Sequence, residues 1–154
     1  MRRVSDLDTP ALIVDVDCME RNLRRAAEYA QRHNLRLRPH TKTHKSPALA
    51  KRQIALGAAG LTVAKTTEAE VMMRAAPSDL LIAYPVVGQA KTDRLVKLAA
   101  QTNITVAIDS ISAVRPVAAA ARRAGVKLGI LIELDAGLHR VGLTAGEALR
   151  HLAL

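Results

Sequence analysis

The chain has 154 residues, the size of one ordinary domain, and 49% of them are hydrophobic, enough for a packed core. Lys and Arg number 23 against 14 Asp and Glu, a formal charge of +9 that raises nucleic acid or a membrane surface as partners; with no Trp or Phe and only 2 Tyr, bases have little to stack on, and nucleic acid is not favoured. A single cysteine, Cys18, excludes an internal disulfide framework and a CxxC site, no apolar run approaches the roughly 20 residues of a membrane span, and the expected location is cytoplasmic.

The first ten residues carry two arginines with no apolar stretch behind them, so no targeting segment is expected. Residues 11–16 (ALIVDV) follow Thr9-Pro10 and predict a strand. Leu23, Ala26, Ala27 and Ala30 then recur at helical spacing among Arg21, Arg24, Arg25 and Glu28, predicting an amphipathic helix over 19–33 with Asp17 as its N-cap. Residues 35–42 predict a strand of unusual parity, with Arg36, Arg38, His40 and Lys42 on one face and Leu35, Leu37, Pro39 and Thr41 on the other. In an internal strand the basic face turns toward whatever the sheet encloses; in an edge strand or loop it is simply solvated.

Ser46-Pro47 opens a helix that Gly57 stops. Regular alternation follows. Strands are expected at 60–64, 80–83, 104–108 and 127–134, with helices at 89–100, 112–124 and 144–152, and a helix entered at 67 through a Thr67–Glu70 capping box. Strand starts at 35, 60, 80, 104 and 127 recur roughly every 20–25 residues. Apolar strands alternating with helices imply a parallel α/β sheet, open or barrel-like, and no GxGxxG follows the first strand to support a dinucleotide-binding domain.

In such sheets ligands collect at the carboxyl ends of the strands. The polar residues there are His40, Lys42 and His44, then Lys65 and Thr66, Tyr84, Asp109 and Ser110, and Asp135, His139 and Arg140. A lysine at such a mouth suits attack on a carbonyl, and Arg38, His40 and Lys45 are expected to supply the positive surrounding that favours its neutral amine. His40 and His44 lie four apart, but Pro39 argues against a helix there and two histidines leave a zinc site short of ligands, so no metal site is assigned. Arg140 reads, on residue type alone, as a surface turn arginine.

Arg38-Pro39-His40-Thr41-Lys42-Thr43-His44-Lys45 resembles the RPHxKTHK signature of the D-threonine aldolase and D-serine dehydratase group, enzymes of the alanine-racemase-like fold. Thr9 to Leu12, AKTTEAEV at 64–71, LLIAYP at 80–85 and ELDAGLHRVG at 133–142 stand in the order that group has them, so the resemblance runs from about Leu7 onward. It implies a partial (β/α)8 barrel of about five of eight units, preceded by one extra strand and helix in residues 1–34. Residues 35–154 would form an incomplete pyridoxal-phosphate-binding barrel that lacks the later strands and a β domain. A closed barrel needs about 250 residues.

By the same resemblance Lys42 is the catalytic lysine that forms the internal Schiff base with pyridoxal 5'-phosphate, His40 belongs to the cofactor site, and Arg140 lies beside the cofactor's phenolic oxygen. Lys45 is the rival lysine. The implied activity is retro-aldol cleavage of a D-3-hydroxy amino acid or dehydration of D-serine, in a homodimer, with a divalent metal held in the longer protein by residues absent here. Racemisation, or cofactor handling without turnover, are alternatives on the same fold. A non-catalytic basic domain is the alternative from another class. Two unpaired strand edges also predict self-association of the segment alone.

Overall fold

Short runs of branched, apolar residues flanked by Gly, Ser and Asp form four parallel strands in the computed structural model, which describes residues 3–144 and 146. They are β1 (Leu61–Val63), β2 (Asp79–Ile82), β3 (Asn103–Ile108) and β4 (Gly129–Ile132), hydrogen-bonded in chain order. Five helices accompany them: α1 (Val16–Arg32), α2 (Pro47–Ala55), α3 (Thr66–Met72), α4 (Gln89–Ala99) and α5 (Ile111–Ala124). The extended residues 37–40 add a fifth member beside β1. Ala59 N–H donates to the Leu37 carbonyl at 2.9 Å and Thr62 N–H to the Pro39 carbonyl at 2.8 Å. His40 pairs with Thr62 in a single parallel bridge.

Register divides the sheet into two faces. Leu61, Leu80 and Ile104 form one row and Val63, Ile82 and Val106 another, and all six are buried in a core shared with Ala50, Ala69, Met72, Leu95, Leu98 and Val117 of the helices. A side chain as fully buried as Leu80 contributes roughly 1.5–3 kcal/mol. On the opposite face the intermediate row runs His40, Thr62, Leu81, Thr105 and Gly129. Leu81 apart, this row is polar or small. Two residues further toward the amino ends, Arg38 reaches past Gly60 to Asp79, its guanidinium 2.9 Å from the carboxylate. A Cβ on Gly60 would stand 2.5 Å from the Asp79 carbonyl oxygen, so only glycine lets the strands and this ion pair meet.

Helix boundaries follow local chemistry. Ser46 accepts from Leu49 N–H with Pro47 in the first turn, Ser110 accepts from Ala113 N–H, and Gly125, at φ 65°, ends α5. At α1 the cap is Asp15, which accepts Cys18 N–H at 2.8 Å, and Asp17 instead sits in the first turn. Glu20 of α1 ion-pairs with Arg24 and with Arg52 of α2, fastening the N-terminal helix to the next one.

Several expectations are corrected. Residues 11–15 are not a strand, because no strand among the described residues pairs with them, and Leu12 is 99% exposed. The α3 entry uses no Thr67–Glu70 box: Lys65 is the cap residue, Glu68 accepts Ala64 N–H at 2.7 Å, and Glu70 pairs with Arg94 of α4. The basic strand ends at His40 rather than Lys42. Apart from residues 144 and 146, the helix expected at 144–152 lies outside the described residues.

Candidate active site

Beyond His40 the chain leaves the sheet through a 3₁₀ turn, Thr41–Thr43. Thr41 is fully buried, its hydroxyl donating to the Thr62 carbonyl at 3.2 Å, and this anchor turns Lys42 out into solvent at the carboxyl edge of the sheet. Lys42 therefore lies past the end of the paired backbone and is held by this turn, not by the extended residues that carry Arg38 and His40. Its ammonium enters no hydrogen bond or ion pair among the described residues.

His40 lies against the same turn, with Nδ1 accepting Lys42 N–H at 3.3 Å. That bond assigns the proton of the neutral ring to Nε2. Burial, then the Lys42 cation, push His40 below the ordinary imidazole value, with the Glu68 carboxylate opposing them, so the ring is uncharged at neutral pH. His44 repeats the pattern: its Nδ1 accepts Ser46 N–H at 3.0 Å, helping to open α2. Each histidine thus holds the turn that follows it. Lys45, at φ 51°, points elsewhere, lining with Lys65, Thr67, Glu68, Val71 and Met72 a cleft of about 300 Å³.

At the other end of the sheet β4 leads into a closed loop. Glu133 N–H donates to the Ile108 carbonyl, Leu143 N–H donates to the Glu133 carbonyl at 2.9 Å, and Asp135 N–H to the Leu143 carbonyl at 3.0 Å. Arg140 stands exposed on this loop, after Gly137 and His139, both at positive φ. The Glu133 Oε2 atom is buried without a partner among the described residues.

His40 and Lys42 are therefore together. Arg140 shares their carboxyl edge but follows β4, with β1, β2 and β3 lying between the two groups in the sheet order. The expected positive surrounding of Lys42 is weaker than its sequence context implies: Arg38 is neutralised by Asp79 and His40 is uncharged. Tyr84 and Lys65 line a separate small cleft of about 120 Å³ between the β1–α3 and β2–α4 connections, and Ser110 is used as a helix cap. Glu68 and Asp79, which set the charge around His40 and Arg38, carry no local sequence signal because their partners lie distant in the chain.

The architecture defines a segment of a parallel α/β barrel, with Lys42, His40 and Arg140 at the carboxyl ends of its strands. Residues 14–154 match the family model described as alanine racemase, N-terminal domain, and the chain belongs to that family. It is 39% identical over 151 residues to a 3-hydroxy-D-aspartate aldolase of Paracoccus denitrificans, covering 97% of this chain and 39% of that protein. It is 35% identical over 148 residues to a D-threo-3-hydroxyaspartate dehydratase of Delftia sp., covering 96% of this chain and 39% of that one. The crystal structure of D-threonine aldolase from Filomicrobium marinum superposes with a TM-score of 0.92 at 43% identity, over 97% of this chain and 40% of that chain. An alanine racemase from Streptomyces coelicolor, 22% identical with a TM-score of 0.72, shares the fold. The chain thus spans about two fifths of the length of the relatives it matches.

Proposed function

We propose that the chain is the lysine-bearing N-terminal segment of a pyridoxal-phosphate-dependent lyase acting on D-amino acids with a hydroxyl on the β-carbon, by aldol cleavage or by dehydration. The observation that carries this is the 40–45 turn, where a buried threonine sets an unpaired lysine amine beside an uncharged imidazole at the mouth of a parallel sheet. The relatives named above support the substrate class, since they are called aldolases or dehydratases of D-configured hydroxy amino acids.

The residues present fit the cofactor. Its aldehyde needs an amine, its phenolic oxygen a nearby cation and its flat ring uncrowded space. Lys42 supplies the amine and Arg140 the cation, while Ala64 and Ala83 end β1 and β2 with small side chains. When bound, the cofactor supplies an electron sink for charge left on the substrate α-carbon. Lys42 would hold the cofactor through its side-chain amine, and the same amine, when free, would carry a proton to or from the substrate α-carbon. His40, uncharged, keeps the Lys42 turn closed without repelling the amine. Arg140, a permanent planar cation, favours an ionised oxygen beside it. Among the described residues no three His, Cys, Asp or Glu side chains are grouped to hold a metal, and no step is assigned to one.

Incubation with pyridoxal phosphate, borohydride reduction and peptide mapping test this reading. Label concentrated on Lys42 and lost in Lys42→Ala is expected; label spread over the remaining lysines refutes it. Glycine release from D-threonine or D-3-hydroxyaspartate, against ammonia release from D-serine, then separates cleavage from dehydration.

A further inference from the structure

The loop after β4 holds a carboxylate that the chemistry above does not use. Asp135 Oδ1 accepts two backbone donors, Gly137 N–H at 2.9 Å and His139 N–H at 3.0 Å, while Oδ2 lies 2.8 Å from His139 Nδ1. Only about a tenth of this side chain is exposed, against most of the His139 ring, so the carboxylate is the inside of the loop and the imidazole its cover. These backbone bonds, with those from the His139 ring and Leu138 N–H, hold the Asp135 carboxyl below the usual carboxylate range.

The backbone is equally committed. Gly137 at φ 112° and Gly142 at φ 102° take conformations that favour glycine, and a Cβ on Gly142 would stand 2.6 Å from Asp135 N. Leu134 and Leu143 pair where the loop closes. Arg140 is the residue immediately beyond the last group that Asp135 holds. Its own side chain has no partner among the described residues, so its place is set through the backbone it stands on.

We propose that Asp135 is the positioning residue for Arg140: its carboxylate gathers the Gly137 and His139 amides and the His139 ring into one rigid turn that presents the guanidinium at the mouth of the sheet. The loop itself is read from these contacts, and the use of Arg140 rests on the functional reading above. Charge-assisted hydrogen bonds to a carboxylate are among the stronger ones, and two of them on one oxygen fix a short loop better than packing of its exposed side chains can.

Two measurements on the full chain test it. Amide hydrogen exchange at residues 137–140 is expected to speed up by about tenfold or more in Asp135→Ala, the factor expected when a charge-assisted bond is lost, and far less in Asp135→Asn, whose amide oxygen still accepts. Exchange in β3 stays as it was. With pyridoxal phosphate bound and before reduction, Asp135→Ala is expected to shift the absorbance of the bound cofactor in the same direction as Arg140→Ala, with Asp135→Asn between it and the parent, while the fraction of Lys42 labelled after reduction is unchanged. Unchanged exchange at 137–140 overturns the proposal, as does a parent-like spectrum in Asp135→Ala when Arg140→Ala shifts it. If the parent chain takes no label on Lys42, that failure falls on the functional reading, and the exchange rates still decide whether Asp135 holds the loop.

Discussion

β1 and β2 in the middle of the sheet and β4 at its flank are written in similar apolar runs, yet they differ sharply in burial. Leu61, Leu80 and Ile82 in β1 and β2 are inaccessible to solvent, whereas Ile130 and Leu131 in β4 are 43% and 44% exposed. Strand-forming character is a property of the run itself, through branched side chains that suit a pleated backbone. Burial is a property of neighbours. β1, β2 and β3 have a partner on each side and helices over one face; β4 and residues 37–40 are each hydrogen-bonded on one side among the described residues. Both candidate reactive groups, Lys42 and Arg140, follow these flanking elements. The middle of the sheet therefore supplies the stability and the flanks carry the candidate functional groups.

Core truncation should separate the two regions most strongly. Leu80→Ala is expected to cost about 2–5 kcal/mol, the range for emptying a fully buried leucine site. Leu131→Ala should cost no more than about 1 kcal/mol, as for partly exposed positions. Urea unfolding of both variants measures this, and equal costs would erase the distinction. Gly60→Ala comes next, at about 1–3 kcal/mol, because its new methyl meets the Asp79 backbone and crowds the Arg38–Asp79 pair. Lys42→Ala should change the unfolding free energy by less than about 0.5 kcal/mol, since the side chain is exposed and unpaired, while abolishing the cofactor label.

Much of this division is legible in the sequence, and what is hidden has a physical cause. The strand and helix repeat shows because each strand is an apolar run and helices open on Ser46-Pro47 or Ser110 and close on Gly125. The partial barrel and the family are legible in RPHTKTHK and in ELDAGLHRVG, and the family match and the superposition agree with both. Alternation extended the strand to Lys42 because nothing local announces that Thr41 leaves the ladder to bond the Thr62 carbonyl, 21 residues on. The same holds for Arg38 and Asp79, 41 residues apart, whose pairing removes a charge that composition alone assigns to the lysine's surroundings. Residues 11–15 fail differently. Their composition favours a strand, but a strand needs a neighbour to pair with.

Acid should loosen the N-terminal flank before the middle. The Arg52 hydrogen bond, with help from the Arg24 and Arg52 charges, holds the Glu20 carboxyl at about 2, against an ordinary 4.5. Because the folded value is the lower one, this contact stabilises the chain above about pH 4.5 and is lost as pH falls toward 2. His40 acts in the same sense at higher pH. Burial and Lys42 lower its folded value from 6.5, so its neutral form is favoured by folding, and stability declines as pH drops below 6.5 and the ring is forced to charge. Amide exchange along a pH series should therefore show α1, α2 and the 40–45 turn opening before β2 and β3. His40→Gln should remove the upper step, and Glu20→Gln the lower. Simultaneous opening of β2 and β3 with α1 would mean that the flank and the middle unfold as one unit, and that the chemistry at the edge is held by the same cooperative core.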